Sequence, residues 1–406
     1  MKKEILIISF ILLILISGCV KQNYEEKDIE ELNNISSNEL EEPIREVKTT
    51  KRELSFEEKI WEKRINDSFL PINCPKFNER NLDDSFYKGP MIDTHIHIAN
   101  IPDGGPYDEF NPNDIKPLMG VNVKITDYIC MMETEGTKKV FGFFPVYPEI
   151  PVEMVEVVKR TMQLYPDKFV PFIMPPDHDD RPDGFPTVDS ETLRNMFNAE
   201  PNLFRGYGEI GLYMRGDHGG STGSPELPPD SKRLMEIYPL IRENKLLVYF
   251  HLGEGQKEAF ERVLEGNPDI NFIWHGDQLV SHQNGKENLK LIDEILSKHP
   301  NAYYGVDQLY GNVWLLKPEV IKEEFLKHFR DYDPLLKKDL ETWKWFIEKH
   351  PDQVLWGTDR GWSSPWSLDP DVALTLNNYT RAFIGRLNLD VQEKFAYKNA
   401  EKLIGL

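Results

Sequence analysis

The chain has 406 residues, a net charge of −20 and a hydrophobic content of 40%. So acidic a protein repels phosphate backbones, which argues against nucleic-acid partners. The hydrophobic share is ample for a sizeable core, and the length suits one large domain or two ordinary ones.

The N-terminus has the pattern of a secretory signal. Lys2 and Lys3 precede an apolar stretch, Ile5–Ile16, and small residues follow it. A stretch of about a dozen apolar residues is typical of a signal and short for a bilayer span. Its ending, Leu15–Cys19, resembles a lipobox, which implies that Cys19 carries a lipid and becomes the mature N-terminus. An ordinary cleaved signal and an uncleaved anchor helix are the alternatives. All three place the rest of the chain outside the cytoplasm, and we expect a membrane-anchored extracytoplasmic lipoprotein.

The segment after the signal, residues 20–54, is rich in Glu, Asn, Ser and Lys without a sustained period, which predicts a flexible tether. Ser55 and Glu58 have the spacing of a capping box that opens a short helix ending near Ile65. Residues 55–88 thus predict a helical and irregular lead-in to a domain over residues 89–406. Cys74 and Cys130 either pair in an oxidising compartment or stay as two buried free thiols.

From residue 89 onward, strand-like and helix-like segments alternate. A proline followed by Asp or Asn recurs between a helical stretch and the next apolar strand, because proline cannot continue a helix and Asp or Asn favours a turn. These junctions are Pro166-Asp167, Pro201-Asn202, Pro268-Asp269, Pro300-Asn301 and Pro351-Asp352. The predicted strands are Met91–Ile98, Lys139–Val146, Phe169–Met174, Phe204–Tyr213, Leu246–Leu252, Ile270–Trp274, Ala302–Val306 and Val354–Gly357. Predicted helices include Pro151–Tyr165, Lys232–Asn244, Gln256–Leu264, Glu287–Lys298 and Leu335–Lys349.

Strands that alternate with helices pair in parallel through right-handed crossovers. Eight such units predict an α/β fold of the (β/α)8 TIM-barrel type. No glycine-rich dinucleotide-binding pattern follows the first strand, which disfavours an open doubly wound sheet.

The first strand carries Asp93, His95 and His97 at alternate positions, so all three are predicted to face the barrel interior. The residues predicted to face the helices are Ile92, Ile96 and Ile98. Two imidazoles inside a barrel are costly to bury unless something binds them, and neutral imidazole is a common ligand of zinc. A hydrogen-bonded pair of core histidines is the alternative.

Other strands also end in residues that bind metals. The fifth strand ends in His251 and Leu252, and the sixth, when extended to Gly276, has His275 at its end. Asp359 follows the eighth. Glu209 lies in the glycine-flanked Gly208–Gly211 of the fourth strand. The carboxyl ends of barrel strands meet at the face where active sites form, so the sequence predicts one metal site there.

The order His-x-His, Glu, His, His, Asp along these strands resembles the amidohydrolase superfamily, and most of all its amidohydrolase-related branch of metal-dependent hydrolases, lactonases and decarboxylases. The chain's last segment, Lys398–Leu406, is similar to the closing helix of that branch. Gly208–Gly211 is similar to the Gly-Glu-Ile-Gly of TatD-type deoxyribonucleases, in which the glutamate is a metal ligand. The resemblance implies a barrel enzyme with a divalent metal, zinc by first choice.

By this resemblance, His95, His97, His251 and Asp359 hold the principal ion, and Asp359 also takes a proton from the attacking water. A structural aspartate that caps the following segment is the alternative for Asp359. Glu209 either bridges to a second ion, with His275 as the other ligand, or binds no metal and positions the substrate. A plain inward-facing carboxylate satisfied by hydrogen bonds is the third alternative. His275 either binds that ion or polarises the scissile carbonyl. One ion or two are therefore both open.

Three further residues are candidates for substrate binding. Arg360 and Arg215 have the charge to receive a carboxylate, with solvated surface charge as the alternative reading, and Trp362 is placed to line the mouth of the site. The sequence as a whole predicts a hydrolase that cleaves an ester, lactone or amide bond in a small molecule. A metal-dependent non-oxidative decarboxylase is one alternative, and a non-catalytic ligand-binding surface lipoprotein is another.

Overall fold

The computed structural model describes residues 53–76, 82–98, 123–145, 151–175, 187–212, 227–253, 255–275, 285–307, 309, 320–361 and 365–405. The predicted signal peptide with Cys19 and almost all of the tether lie outside these residues. Within the described ranges, none of the helices combines the length and the apolar character that a membrane span requires.

Within the described residues, eight parallel strands form one sheet in which each strand pairs with the next along the chain. The strands are β1 Met91–His97, β2 Thr137–Pro145, β3 Phe169–Met174, β4 Gly206–Gly211, β5 Leu247–His251, β6 Phe272–His275, β7 Ala302–Val306 and β8 Val354–Trp356. A bridge between Ile96 and Arg360 joins the first strand to the segment after the last. The backbone N–H groups of His97 and Asp359 donate across the same seam, to Arg360 O at 2.8 Å and His95 O at 2.9 Å. The predicted barrel is therefore confirmed.

Helices follow the strands in the order expected for this architecture. Their bounds are α1 Phe56–Asp67, α2 Ile125–Glu135, α3 Pro151–Leu164, α4 Ser190–Ala199, α5 Lys232–Glu243, α6 Lys257–Gly266, α7 Gly285–Lys298, α8 Lys322–His328, α9 Asp333–Lys349, α10 Pro370–Ile384, α11 Leu389–Glu393 and α12 Asn399–Leu403. A 3-10 helix spans Pro365–Leu368, and a short π-helix, Lys394–Lys398, joins α11 to α12. The capping box of α1 forms as predicted, since the Ser55 amide donates to Glu58 Oε2 at 2.7 Å and the Glu58 amide to Ser55 Oγ at 3.1 Å.

Apolar side chains form two clusters, one inside the barrel and one between the strands and the helices. Ile96 and Ile98 pack in the outer cluster, as predicted. The prediction for Ile92 is wrong, because Ile92 packs in the inner cluster. Register shifts in β1, between Met91 and Ile92 and again between Asp93 and Ile96, interrupt the simple alternation on which the prediction was based.

The C-terminal helix α12 packs against the inner cluster through Ala400. The Asn399 side chain donates to Pro351 O and Val354 O, both at 2.8 Å, at the start of β8. The final segment is thereby attached to the end of the barrel opposite the strands' carboxyl ends, which leaves the latter free for a site.

A disulfide joins Cys74 to Cys130, whose Cα atoms lie 5.5 Å apart. Of the two alternatives, the structure contains the paired form. The bond attaches the lead-in before β1 to α2.

Candidate metal centre

In the described part of the chain, four donor side chains from three parts of the barrel converge at its carboxyl end. His95 and His97 come from β1, Glu209 from β4 and Asp359 from the segment after β8, and their donor atoms all lie within 4.8 Å of one another. His95 Nε2 lies 3.0 Å from Glu209 Oε2 and 3.5 Å from Asp359 Oδ1. His97 Nε2 lies 3.4 Å and 2.9 Å from the same two oxygens. We call these residues the four-donor cluster.

The spacing of the four-donor cluster fits a divalent ion. Metal–ligand bonds of about 2.0–2.2 Å, at angles of about 90–110°, place neighbouring donors about 2.8–3.6 Å apart, and the four separations above lie in this range. The donor chemistry also fits, because two imidazoles and two carboxylates are ligands that zinc accepts. Two carboxylates held so close repel each other when both are ionised, and a divalent cation would relieve that repulsion.

The two carboxylates are the accessible part of the cluster. The side chains of His95 and His97 are 0% and 3% exposed, whereas those of Asp359 and Glu209 are 10% and 14% exposed. The carboxylates are therefore the members of the cluster with the larger exposed fractions.

His251 approaches the cluster from β5 but contacts a different oxygen. Its Nε2 lies against Glu209 Oε1, whereas Oε2 of the same carboxylate faces His95 and His97. The structure thus brings His251 to Glu209, and the four closest donors include Glu209 where the resemblance implied His251.

Glu209 reaches the cluster because the backbone of β4 lies close to β5. Gly208 has a φ of +136°, and a Cβ at that position would lie 2.4 Å from the carbonyl oxygen of Tyr249. Only glycine combines that φ with so close a backbone approach. Asp359 also has a positive φ, 51°, a region that Asp and Asn adopt more readily than most residues.

Asp93 lies outside the four-donor cluster, although it occupies the same strand. Its Oδ1 accepts from the amides of His95 and Thr358, both at 3.1 Å, and its Oδ2 accepts from Thr358 Oγ1 at 2.6 Å. Burial raises the pKa of Asp93 to about 7, against the lowering effects of Arg360 and of the Thr358 hydrogen bond. Asp93 therefore ties β1 to the segment that carries Asp359.

Arg360 was predicted to receive a substrate carboxylate, and the structure gives it other partners. Its side chain is 1% exposed, and its Nη2 lies 3.0 Å from both carboxylate oxygens of Glu135 and 3.3 Å from Asp93 Oδ2. Its Nε donates to Thr358 Oγ1 at 2.9 Å. Carboxylates from β1 and α2 thus occupy the position beside the guanidinium that a substrate carboxylate would need.

The remaining predicted site residues cannot be placed in the site. Arg215 and Trp362 lie outside the described residues. His275 ends β6 as predicted, but its side chain lies outside the described part of the chain.

Two residues near the cluster were missed by sequence reasoning. Asp307 follows β7 directly, and its Oδ2 lies 3.4 Å from His95 Nδ1. Met174 ends β3 with its Sδ 3.3 Å from His97 Nδ1. An acidic residue immediately after an apolar strand was a usable signal for Asp307, since the same pattern had singled out Asp359.

Comparisons with known proteins give structural neighbours. No protein-family model matches the chain, and no curated protein matches it. The solved structures that are similar include an amidohydrolase from Burkholderia multivorans with bound zinc, at 9% identity, 78% coverage of this chain, 100% of that chain and a TM-score of 0.49. A second similar structure is described as a probable 2-pyrone-4,6-dicarboxylic acid hydrolase from Acinetobacter baumannii with bound citric acid. It has 13% identity, covers 78% of this chain and 99% of its own, and gives a TM-score of 0.45. A 2,6-dihydroxybenzoate decarboxylase from Rhizobium has 15% identity, covers 79% of this chain and 99% of its own, and gives a TM-score of 0.39. These solved structures are what the chain is similar to, at 9–15% sequence identity.

Proposed function

We propose that the chain is a metal-dependent hydrolase that cleaves an ester, lactone or amide bond in a small molecule. The four-donor cluster supports this proposal above all, since two imidazoles and two carboxylates approach to 2.9–3.5 Å at the carboxyl end of the barrel. Active sites of this fold form at that end. The net charge of −20 argues against a nucleic-acid substrate.

Each side chain has a role that follows from its position. A divalent ion, zinc by first choice, would supply Lewis acidity that polarises a carbonyl and makes water a better nucleophile near neutral pH. His95, His97, Glu209 and Asp359 would hold it. Asp359 is partly accessible, so its carboxylate takes a proton from the attacking water and returns it to the leaving group.

The contacts of the two Glu209 oxygens bear on the number of ions that the site would hold. Its Oε2 belongs to the four-donor cluster, whereas its Oε1 faces His251. We propose that the four-donor cluster would hold one principal ion. A second ion beside it would require Glu209 Oε1 and His251 to separate, because the two groups are in contact.

Metal content tests the site. Purified protein is expected to contain about one or two equivalents of zinc or a similar divalent ion, measured by elemental mass spectrometry. His97→Ala is expected to lose most of that metal, because a buried donor is removed. His299→Gln is the matched control, since His299 directly follows α7 and is also buried. Normal metal content in His97→Ala, or equal loss in both variants, would contradict the site.

Isotope incorporation tests the reaction class. A panel of lactones, esters and amides is incubated with the protein in ¹⁸O-water, and hydrolysis is expected to place one heavy oxygen in the product. Release of carbon dioxide from conjugated carboxylic acids without heavy-oxygen incorporation would replace hydrolysis by decarboxylation. Metal-loaded protein that binds one of these compounds but converts none would favour the ligand-binding lipoprotein.

We also propose that the protein is anchored outside the cytoplasm through a lipid on Cys19. The disulfide between Cys74 and Cys130 supports an oxidising compartment, where such bonds form and persist. Cys19→Ala is expected to move the protein from the membrane fraction to the aqueous phase of a detergent partition while its metal content stays the same. An unchanged membrane fraction would contradict the lipid anchor.

A further inference from the structure

Asp307 lies behind the four-donor cluster, on the side of His95 that faces away from the other donors. The carboxylate follows β7 and is 5% exposed. Its Oδ2 lies 3.4 Å from His95 Nδ1, whereas His95 Nε2 lies 3.0 Å from Glu209 Oε2. The two ring nitrogens of His95 thus face different carboxylates, one behind the cluster and one within it.

Two glycines leave the space that the Asp307 carboxylate fills. A Cβ on Gly357, directly after β8, would lie 2.0 Å from Asp307 Oδ1 and 3.0 Å from His95 Cβ. A Cβ on Gly305 in β7 would lie 3.2 Å from Asp307 Oδ2. Any larger residue at position 357 would displace the carboxylate from His95, so the contact depends on the absence of a side chain there.

Aromatic rings restrict His95 but do not select one nitrogen over the other. The ring centroids of Phe143 and Tyr249 lie 4.7 Å and 5.0 Å from that of His95. Burial, and after it the charges of Asp307 and Glu209, hold the pKa of Tyr249 well above its usual value, so its hydroxyl stays neutral. Packing fixes the plane of the imidazole, and a hydrogen bond is needed to fix which nitrogen carries the proton.

We propose that Asp307 is a positioning residue that accepts the Nδ1–H of His95 and thereby keeps Nε2 as the donor atom of the four-donor cluster. A carboxylate hydrogen-bonded to the far nitrogen of a metal-binding histidine fixes the ring and makes the other nitrogen more basic. This inference rests on the proposed function in one respect, that Nε2 of His95 binds the metal.

Two variants of Asp307 separate the charge from the acceptor. Asp307→Asn keeps the shape and one acceptor oxygen, whereas Asp307→Leu removes the acceptor at similar size. Zinc affinity, measured by competition with a chromogenic chelator, is expected to fall about 10–100-fold in Asp307→Leu. Asp307→Asn is expected to recover part of that loss.

The control is Asp339→Asn in α9. The carboxyl of Asp339 accepts a hydrogen bond from Tyr379, and burial raises its pKa well above the usual value. A neutral amide therefore resembles the native group. The zinc affinity of Asp339→Asn is expected to stay within about twofold of the wild-type value. This change is much smaller than the loss expected when the carboxylate that contacts a metal-binding histidine is removed.

A second readout does not need the metal. Proton–nitrogen correlation spectra of ¹⁵N-histidine-labelled protein, with the His95 signals assigned by their loss in His95→Gln, are expected to show a hydrogen-bonded, exchange-protected proton on Nδ1. That protection is expected with and without zinc, and is expected to be lost in Asp307→Leu.

The outcomes separate this inference from the proposed function. A wild-type protein that binds no zinc but shows the protected Nδ1 proton contradicts the proposed function and leaves the hydrogen bond standing. Zinc affinity equal in all three proteins, or an Nδ1 signal unchanged by Asp307→Leu, overturns the role of Asp307. A lower melting temperature of the metal-free variants with unchanged zinc affinity also overturns it, because Asp307 would then serve only the stability of the barrel.

Discussion

Arg360→Met is expected to lower the free energy of unfolding by about 3–5 kcal/mol, because breaking a buried ion pair leaves charge uncompensated in the interior. Arg360 and its partners Asp93 and Glu135 are each no more than 1% exposed, and the guanidinium lies 3.0 Å from both oxygens of Glu135. Methionine has a similar length and no charge, so the effect reports the lost ion pairs and not a cavity. Urea unfolding followed by circular dichroism measures it.

Arg262→Met is the matched control for this prediction. Arg262 also pairs with a carboxylate, Asp230, at 2.6 Å, but its side chain is 61% exposed. An exposed pair of this kind contributes about 0–1 kcal/mol, so the control is expected to unfold almost as the wild type does. Equal destabilisation by the two variants would mean that the contribution of the Arg360 ion pairs to the free energy of unfolding does not depend on their burial.

Asp359→Asn is expected to lower turnover by about 10²–10⁴-fold, because the amide cannot accept a proton from water. The fold is expected to survive, since Asn also tolerates the positive φ of 51° and the backbone N–H of residue 359 still donates to His95 O. Hydrolysis of p-nitrophenyl acetate by metal-loaded protein measures the rate, and the melting temperature reports the fold.

The control for Asp359 is Asp230→Asn, which removes a carboxylate from the surface pair with Arg262. Turnover is expected to stay at the wild-type level in this variant. Retained turnover in metal-loaded Asp359→Asn would assign the proton acceptor to another group, and Glu209 is the next accessible carboxylate in the four-donor cluster.

Much of the fold could be predicted from local chemistry. The Pro-Asp and Pro-Asn junctions mark the starts of strands, and the bounds predicted for β3 and β7 are those observed. Alternation along β1 was enough to predict that His95 and His97 face the interior. It was not enough for Ile92, because the register shifts that turn this residue inward depend on pairing with β2.

The contacts that could not be predicted are those made between distant segments. Arg360 looked like a substrate ligand because it follows Asp359, but its partner Glu135 comes from α2, 225 positions away. The choice of Glu209 over His251 among the four closest donors depends on how β4 approaches β5 at Gly208. The pairing of Cys74 with Cys130 likewise depends on where the lead-in lies against α2, which no local pattern encodes.

The seam between the first and last strands also bears on how the chain folds. His97 and Asp359 are 262 positions apart, so the four-donor cluster is complete only after almost the whole chain has been synthesised. Closing so long a loop is slow, and contacts of this separation form late in folding. Metal capture would therefore be a late event, and tightly bound metal would mark the molecules in which barrel closure is complete.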